Sequence, residues 1–248
     1  MSGPAVRHPL LGRVIELLER LEDANHGALD AAADLVLATL KDGGVVHVGG
    51  SGHSTLFALE AFYRAGGLAC INPIWHPALL PLSGGQISTL AERTNGLGAA
   101  LVRRAGIRDG EVMVVFSQSG VNPVPVELAE AARAAGASVV AVVSRVHSDS
   151  VASRHRQGRR LGDLANVVID TGVPLGDADY VAAPGAPPVV PLSTLAGVYA
   201  WNAVLARVAD RAAASGVSLP VWRSANAPGG DETAARLIER YAERIHAL

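Results

Sequence analysis

The sequence is poor in cysteine and in aromatic side chains. Cys70 is the only cysteine in 248 residues, so no disulfide can form within the chain, which is compatible with a reducing compartment. It lies in the apolar run LACINP, where we expect a buried structural thiol rather than a nucleophile. Aromatic residues make up 4% and hydrophobic residues 49%, so Ala, Val, Leu and Gly must fill a sizeable core.

The sequence also lacks an excess of charge and long apolar runs. Its formal net charge of −2 leaves no basic field to hold a nucleic-acid backbone. No uninterrupted apolar stretch reaches the roughly 18–20 residues of a transmembrane helix, and the N-terminal residues lack the pattern of a signal peptide. We therefore expect a cytoplasmic protein that binds neither nucleic acid nor membrane. The basic cluster at residues 154–160 (RHRQGRR) is either a solvated loop or a cationic rim for a small anion.

Recognisable metal and cofactor motifs are missing. The chain has no HExxH, no clustered cysteines and no DxDxDG loop. We therefore expect neither a metal ion nor a cofactor.

Short β-rich runs alternate with helical segments through the middle of the chain. The central runs consist almost wholly of β-branched or apolar residues, as strands buried on both faces do. This alternation predicts an α/β fold with a doubly wound, mainly parallel five-stranded sheet flanked by helices on both sides, in one domain over residues 1–248. The predicted strands are residues 45–48, 68–71, 112–116, 138–143 and 167–170. The predicted helices between them are residues 54–65, 97–105 and 123–136.

Further helices are predicted at both ends of this core. The apolar spacing over residues 10–41 indicates two helices, which the glycines at 43 and 44 stop. Residues 171–191, rich in Pro and Gly, are predicted to form a long loop. A helix at about 192–215 and a C-terminal turn and helix at about 220–246 complete the chain.

Two small turns rich in Gly and Ser follow predicted strands, at residues 49–54 and 117–122, and each leads into a helix. Backbone N–H groups at a helix N-terminus and nearby hydroxyls favour an anion, and ligands of open parallel sheets bind at the carboxyl ends of the strands. Neither turn fits a nucleotide motif, because GxGxxG would need Gly where Thr55 stands and the P-loop would need a Lys.

The segment SQSG at residues 117–120 resembles the S-x-S-G phosphate loop of sugar isomerase (SIS) domains, and GSGHS at 50–54 resembles their first phosphosugar loop. Phosphoheptose isomerase and N-acetylmuramic-acid-phosphate etherase are more distant members. The chain is most similar to an SIS subfamily described as phosphosugar isomerases or phosphosugar-binding proteins. The segments that carry this resemblance are 62–68 (FYRAGGL), 72–74 (NPI), 147–148 (HS), 153–155 (SRH), 168–170 (VID), 176–177 (GD), 224–226 (SAN) and 229–231 (GGD).

The resemblance implies a phosphorylated sugar as the ligand and a homodimer or larger homo-oligomer. Hydroxyls of the S-x-S-G loop would hold the phosphate, with Asn122 in place of a third hydroxyl. The residues to which the resemblance gives ligand contacts are Ser51, Gly52, Ser54, Ser117, Gln118, Ser119, Gly120 and Asn122.

Phosphoheptose isomerases carry a His and a Glu on the first helix for metal binding and proton transfer. Glu60 and Arg64 stand at those positions, which argues against that zinc site. Arg64 would clamp an oxyanion or pair with Glu60 across one helical turn.

Aldose–ketose isomerisation needs a base that moves a proton between adjacent carbons, together with a ring-opening acid or base. The candidates in the sequence are Glu60, His53, His147 and His155, with Glu232 as a second carboxylate. Together with these candidates, the resemblance implies an isomerase that acts on a phosphorylated sugar or amino sugar. The alternative is a sensor that binds the phosphosugar without turnover.

Overall fold

The computed structural model describes residues 7–224 and 226–248. Ala225, the middle residue of the motif at 224–226, therefore lies outside the described residues. Its centre is a parallel five-stranded sheet with the strand order β2-β1-β3-β4-β5. The predicted α/β fold is therefore confirmed. The strands are β1 (Val46–Gly50), β2 (Ile71–Ile74), β3 (Val112–Phe116), β4 (Ser138–Val143) and β5 (Val167–Asp170).

Helices cover both faces of this sheet, as its apolar strands require. In β3, Val114 and Phe116 pack on one side with α1, α2 and α8, while Met113 and Val115 pack on the other with α4 and α5. The helices are α1 (Pro9–Lys41), α2 (Thr55–Ala61), α3 (Gly85–Glu92), α4 (Leu97–Ala105), α5 (Pro123–Ala134), α6 (Arg145–Ser150), α7 (Leu161–Leu164), α8 (Ser193–Ala214) and α9 (Gly230–Tyr241). None of those described has the length and apolar character needed to span a membrane.

The prediction of two N-terminal helices is wrong, because residues 9–41 form the single helix α1. Its polar middle stays helical because it has partners in the tertiary structure. The Asn25 amide donates to Leu21 O and to Asp170 O of β5, and Tyr199 of α8 donates to Glu22 at 2.9 Å. Packing along α8 thus overrides the local signal for a break.

Two other predicted elements have different boundaries in the structure. The strand expected at 68–71 lies at Ile71–Ile74, and Leu68 instead forms an isolated antiparallel bridge with Val221. The helix expected at 54–65 ends at Ala61, because Phe62 is extended and Tyr63 has a φ of 46°.

The long loop expected at 171–191 contains a small antiparallel pair, β6 (Ala178–Tyr180) and β7 (Val189–Pro191). Asp177 precedes this pair in a left-handed conformation with a φ of 69°. Its carboxylate accepts hydrogen bonds from Leu192 N, Ser193 N and Ser193 Oγ, so it fixes the start of α8.

Candidate functional site

Two loops meet at the carboxyl edge of the sheet. Loop A, residues 51–54, follows β1, and loop B, residues 117–122, follows β3. Because β1 and β3 are neighbours and the chain order reverses between them, this edge is where open α/β sheets bind ligands.

Loop A can come close to loop B because Gly50 has no side chain. A Cβ at residue 50 would lie 2.6 Å from Ser54 O and 2.8 Å from Phe116 O, distances that backbone atoms cannot accommodate. Residues 52–54 then form a turn of 3₁₀ helix that leads into α2. This geometry buries Ser51, leaves Ser54 half-buried and exposes His53.

Loop B is a tight turn in front of α5. Gly120 has a φ of 62°, and its N–H donates to Ser117 Oγ at 3.1 Å. The Ser117 hydroxyl thereby accepts one hydrogen bond and keeps its own hydrogen to donate to a ligand. Gln118 and Ser119 are half-buried beside it.

Glu92, the last residue of α3, lies between the two loops. The sequence patterns did not single it out as a candidate. Ser51 Oγ donates to its Oε2 at 3.2 Å, and Asn122 Nδ2 donates to its Oε1 at 2.9 Å. Burial raises the pKa of the Glu92 carboxyl, although the bond from Ser51 and the charges of Arg93 and Arg154 oppose that rise. A partly buried carboxyl with a raised pKa, held between two such loops, is a candidate for proton transfer.

Three further polar atoms at this edge of the sheet have no partner among the described residues. They are Thr55 Oγ1 at the start of α2, Gln118 Nε2 in loop B and His147 Nδ1 in α6, and all three are buried. Burial lowers the pKa of His147, and the charge of Asp177 opposes this shift in part. Since buried polar groups are normally hydrogen-bonded, these atoms are available to a ligand's hydroxyls or to water.

The comparisons with known proteins agree with this architecture. The sequence profile of the SIS domain matches residues 11–144, more than half of the chain, and this range contains both loops and Glu92. The chain belongs to the SIS domain family. It is 38% identical over 234 residues to a UPF0309 protein of Listeria innocua, covering 94% of this chain and 95% of that one. It is 36% identical to a UPF0309 protein of Streptomyces coelicolor, covering 99% and 98%.

Solved structures show the same SIS fold. The phosphoheptose isomerase GmhA of Neisseria gonorrhoeae superimposes with a TM-score of 0.53 at 17% identity, covering 80% of this chain and 95% of that one. At this identity the likeness concerns the fold alone. The resemblance to SIS domains that the two loop motifs indicated is thus confirmed.

The SIS loops bring together only some of the residues that the sequence singled out. Ser51 and Asn122 both contact Glu92, and a Cβ on Gly52 would lie 3.4 Å from Glu92 Oε2. Glu60 and Arg64 form an ion pair with each other at the other end of α2. As candidate base and oxyanion clamp, these two stay predictions that the geometry does not favour.

His155 lies away from Glu92. Its ring is buried against α5, with Nε2 3.4 Å from Glu130 Oε2, about two helical turns beyond Asn122. Glu232 lies in the first turn of α9.

The sequence offered little to reveal Glu92. It ends a short helix in the segment 75–96, where the periodicity predicted no element, and it follows no strand. Only the fold of that segment carries it between two loops that are distant in sequence. In the described part of the chain, no three or more His, Cys, Asp or Glu residues are grouped so as to hold a metal ion.

Proposed function

We propose that this SIS domain binds a phosphorylated sugar between loops A and B and isomerises it with Glu92 as the base. The observation that carries the proposal is the position of Glu92, which is hydrogen-bonded to Ser51 of loop A and to Asn122 of loop B. Its raised pKa supports the same role.

In the proposed reaction, the hydroxyls of Ser117 and Ser119 hold the phosphate, and the sugar carbons extend towards Glu92. The Glu92 carboxylate removes the proton from the hydroxyl-bearing carbon next to the carbonyl, and the electron pair of that C–H bond forms an enediolate. The proton, which exchanges with solvent while the Glu92 carboxyl holds it, is then delivered to the former carbonyl carbon. The hydroxyl of the adjacent carbon gives up its proton to the former carbonyl oxygen and becomes the new carbonyl, so the step needs no external oxidant or reductant. His53 and His147 are the candidates for ring opening.

The test uses fructose 6-phosphate and other aldose and ketose phosphates in D₂O, with deuterium entry at carbon followed by NMR. We expect Glu92→Gln to lower the exchange rate by about 10²–10⁴-fold, the usual contribution of a general base, while the phosphosugar still binds. Glu60→Gln is the matched control, since it removes a carboxylate outside the site, and it should leave the rate unchanged. Equal rates for Glu92→Gln and the wild type would reject Glu92 as the base.

Binding is measured separately by thermal shift. A ligand at 100 times its dissociation constant stabilises the folded state by about 2.7 kcal/mol. The double variant Ser117→Ala/Ser119→Ala should lose this shift, whereas Glu92→Gln should keep it.

One contact pattern favours a sensor without turnover as the second candidate. Both carboxylate oxygens of Glu92 already accept a hydrogen bond, so Glu92 can also serve as a structural tie between the loops. Ligand-induced stabilisation with no deuterium entry for any sugar phosphate would favour this function.

We also propose that the chain forms a homodimer or larger homo-oligomer and resides in the cytoplasm. The exposed apolar side chains near α3 support an assembly, with Leu82 98%, Leu90 69% and Ile87 56% exposed. The free thiol of Cys70 supports the cytoplasmic location, because it is compatible with a reducing compartment.

A further inference from the structure

The basic segment that joins α6 to α7, residues 151–160, is hydrogen-bonded to loop B through Arg154 and through Leu161, the residue directly after it. We call it the strap. Arg154 N donates to Val121 O at 2.8 Å, and Leu161 N, directly after the strap, donates to Gly120 O at 2.8 Å. The strap is therefore attached to the loop that is proposed to hold the phosphate, and its first arginine lies beside that loop.

The strap also contacts helix α5 through Glu130. Glu130 accepts a hydrogen bond from Arg159 Nη1 at 2.8 Å, and its other oxygen lies 3.4 Å from the ring of the buried His155. Inside the strap, Ser153 Oγ donates to Arg159 O at 2.6 Å, and Arg160 donates to Val151 O at 2.8 Å. With these contacts the strap has a defined conformation that holds Arg154 at the edge of loop B.

The first turn of α5, directly after loop B, offers few backbone donors to an anion. A helix N-terminus binds anions through the free N–H groups of its first turn. In α5, Pro123 and Pro125 have no N–H, and Val126 N donates to Asn122 O at 3.4 Å. The Asn122 amide, which would replace the third hydroxyl of SIS loops, is already donated to Glu92. The first turn of α5 therefore leaves Val124 as its remaining backbone donor.

The side chain of Arg154 can supply the missing donors. It is exposed, and one of its five N–H groups contacts Asn122 Oδ1 at a long 3.4 Å. A guanidinium suits a phosphate, since its planar fork can donate two parallel hydrogen bonds. Asn122 contacts both Arg154 and Glu92, so the guanidinium lies on the same side of the site as Glu92.

We propose that Arg154 binds the phosphate of the ligand, taking the place of the helix N–H groups and of the third hydroxyl, and that Glu130 is its positioning residue. This rests on the proposed function, in that loop B receives the phosphate. It assigns to the strap the second role that the sequence left open, a cationic rim for a small anion.

The test measures the affinity of the full chain for inorganic phosphate and for fructose 6-phosphate by titration calorimetry. We expect Arg154→Met to weaken both by about 10–100-fold, as for the loss of a charge-assisted hydrogen bond. Arg154→Lys should lie between Arg154→Met and the wild type, because it keeps the charge and loses the fork. The matched control is Arg156→Met, an exposed arginine of the same strap, which should bind as the wild type does.

The outcomes separate this inference from the proposed function. If the wild type binds and Arg154→Met binds equally well, the role of Arg154 is refuted while phosphosugar binding stands. If the wild type binds no phosphate compound, both proposals fail.

The role of Glu130 is tested by combining substitutions. Glu130→Gln should weaken phosphate binding several-fold in the wild-type background and have no effect in the Arg154→Met background, because its action passes through Arg154. An equal loss in both backgrounds would show that Glu130 supports loop B in general and would reject the positioning role. Circular dichroism of each variant establishes that it is folded.

Discussion

At the scale of single residues, Glu111 shows how this fold uses a buried carboxylate for stability. It lies just before β3, at the opposite end of that strand from loop B, and it accepts hydrogen bonds from Val45 N at 3.0 Å, Arg108 N at 2.8 Å and Arg244 at 2.7 Å. Its Oε2 is also 2.9 Å from Nε2 of the fully buried His47. Burial alone would raise the pKa of Glu111, but its hydrogen bonds to His47, Arg108 N and Arg244 lower it to about 2.

Glu111→Gln should therefore destabilise the chain by about 3–5 kcal/mol, the cost of breaking a buried ion pair, because it leaves the Arg244 charge without its counterion. The exposed Glu16, 4.0 Å from Arg20, is the control, and Glu16→Gln should change the free energy of unfolding by less than about 1 kcal/mol. Urea unfolding of the three proteins checks this. A loss for Glu111→Gln no larger than that for Glu16→Gln would contradict it.

The pH dependence of stability gives a second readout of the same residue. The folded pKa lies below the ordinary value of 4.5, so the contribution of Glu111 is fully present above pH 4.5 and is lost as the pH falls towards 2. Glu111→Gln should lack this part of the acid destabilisation.

At the scale of elements, α1 is one continuous helix because other elements hold its middle. Asn25 joins it to the end of β5, donating to Asp170 O at 2.8 Å and accepting from Asp170 N at 2.7 Å. Further along, Arg211 of α8 donates to Asp34 at 2.8 Å. These partners lie about 145 and 177 residues away in sequence, so no local pattern could reveal them.

Asn25→Ala should destabilise the chain by about 1–3 kcal/mol, even though Ala is the better helix former, because the backbone groups of Asp170 lose their partner. His26→Ala in the same turn, with an exposed imidazole, should be nearly neutral. Chemical denaturation measures both. A neutral Asn25→Ala would mean that the contact with β5 does not support α1.

At the scale of the whole molecule, apolar surface is exposed next to the candidate site. Leu90 lies on α3 and Leu82 lies in the turn before this helix. The last residue of α3 is Glu92. A second copy of the chain on this surface would border the site, so assembly and ligand binding would affect each other.

Light scattering at micromolar concentration should therefore give at least twice the chain mass of 25.5 kDa. Leu82→Ser/Leu90→Ser should shift the protein towards 25.5 kDa, whereas Leu11→Ser, a partly exposed leucine of α1, should leave the mass unchanged. A wild-type mass of a single chain would reject the homo-oligomer.

The sequence by itself determined the fold class and the two loops. Strands such as residues 112–116 can be recognised from the sequence, because a strand buried on both faces must be apolar at every position. Loops A and B can be recognised as well, because small residues are needed where the backbone turns sharply between a strand and a helix. Gly50 and Gly120 are examples. Both signals are local, so one stretch of sequence contains each of them in full.

Only the tertiary structure decided which side chains share the site. Glu92 meets Ser51 and Asn122 across separations of 41 and 30 residues, and Arg154 meets Asn122 across 32. The tertiary structure also places His155 against Glu130 of α5, away from Glu92, and pairs Glu60 with Arg64. Contacts of this kind depend on how helices and loops pack after the strands have assembled, and residue spacing along the chain contains no record of that packing.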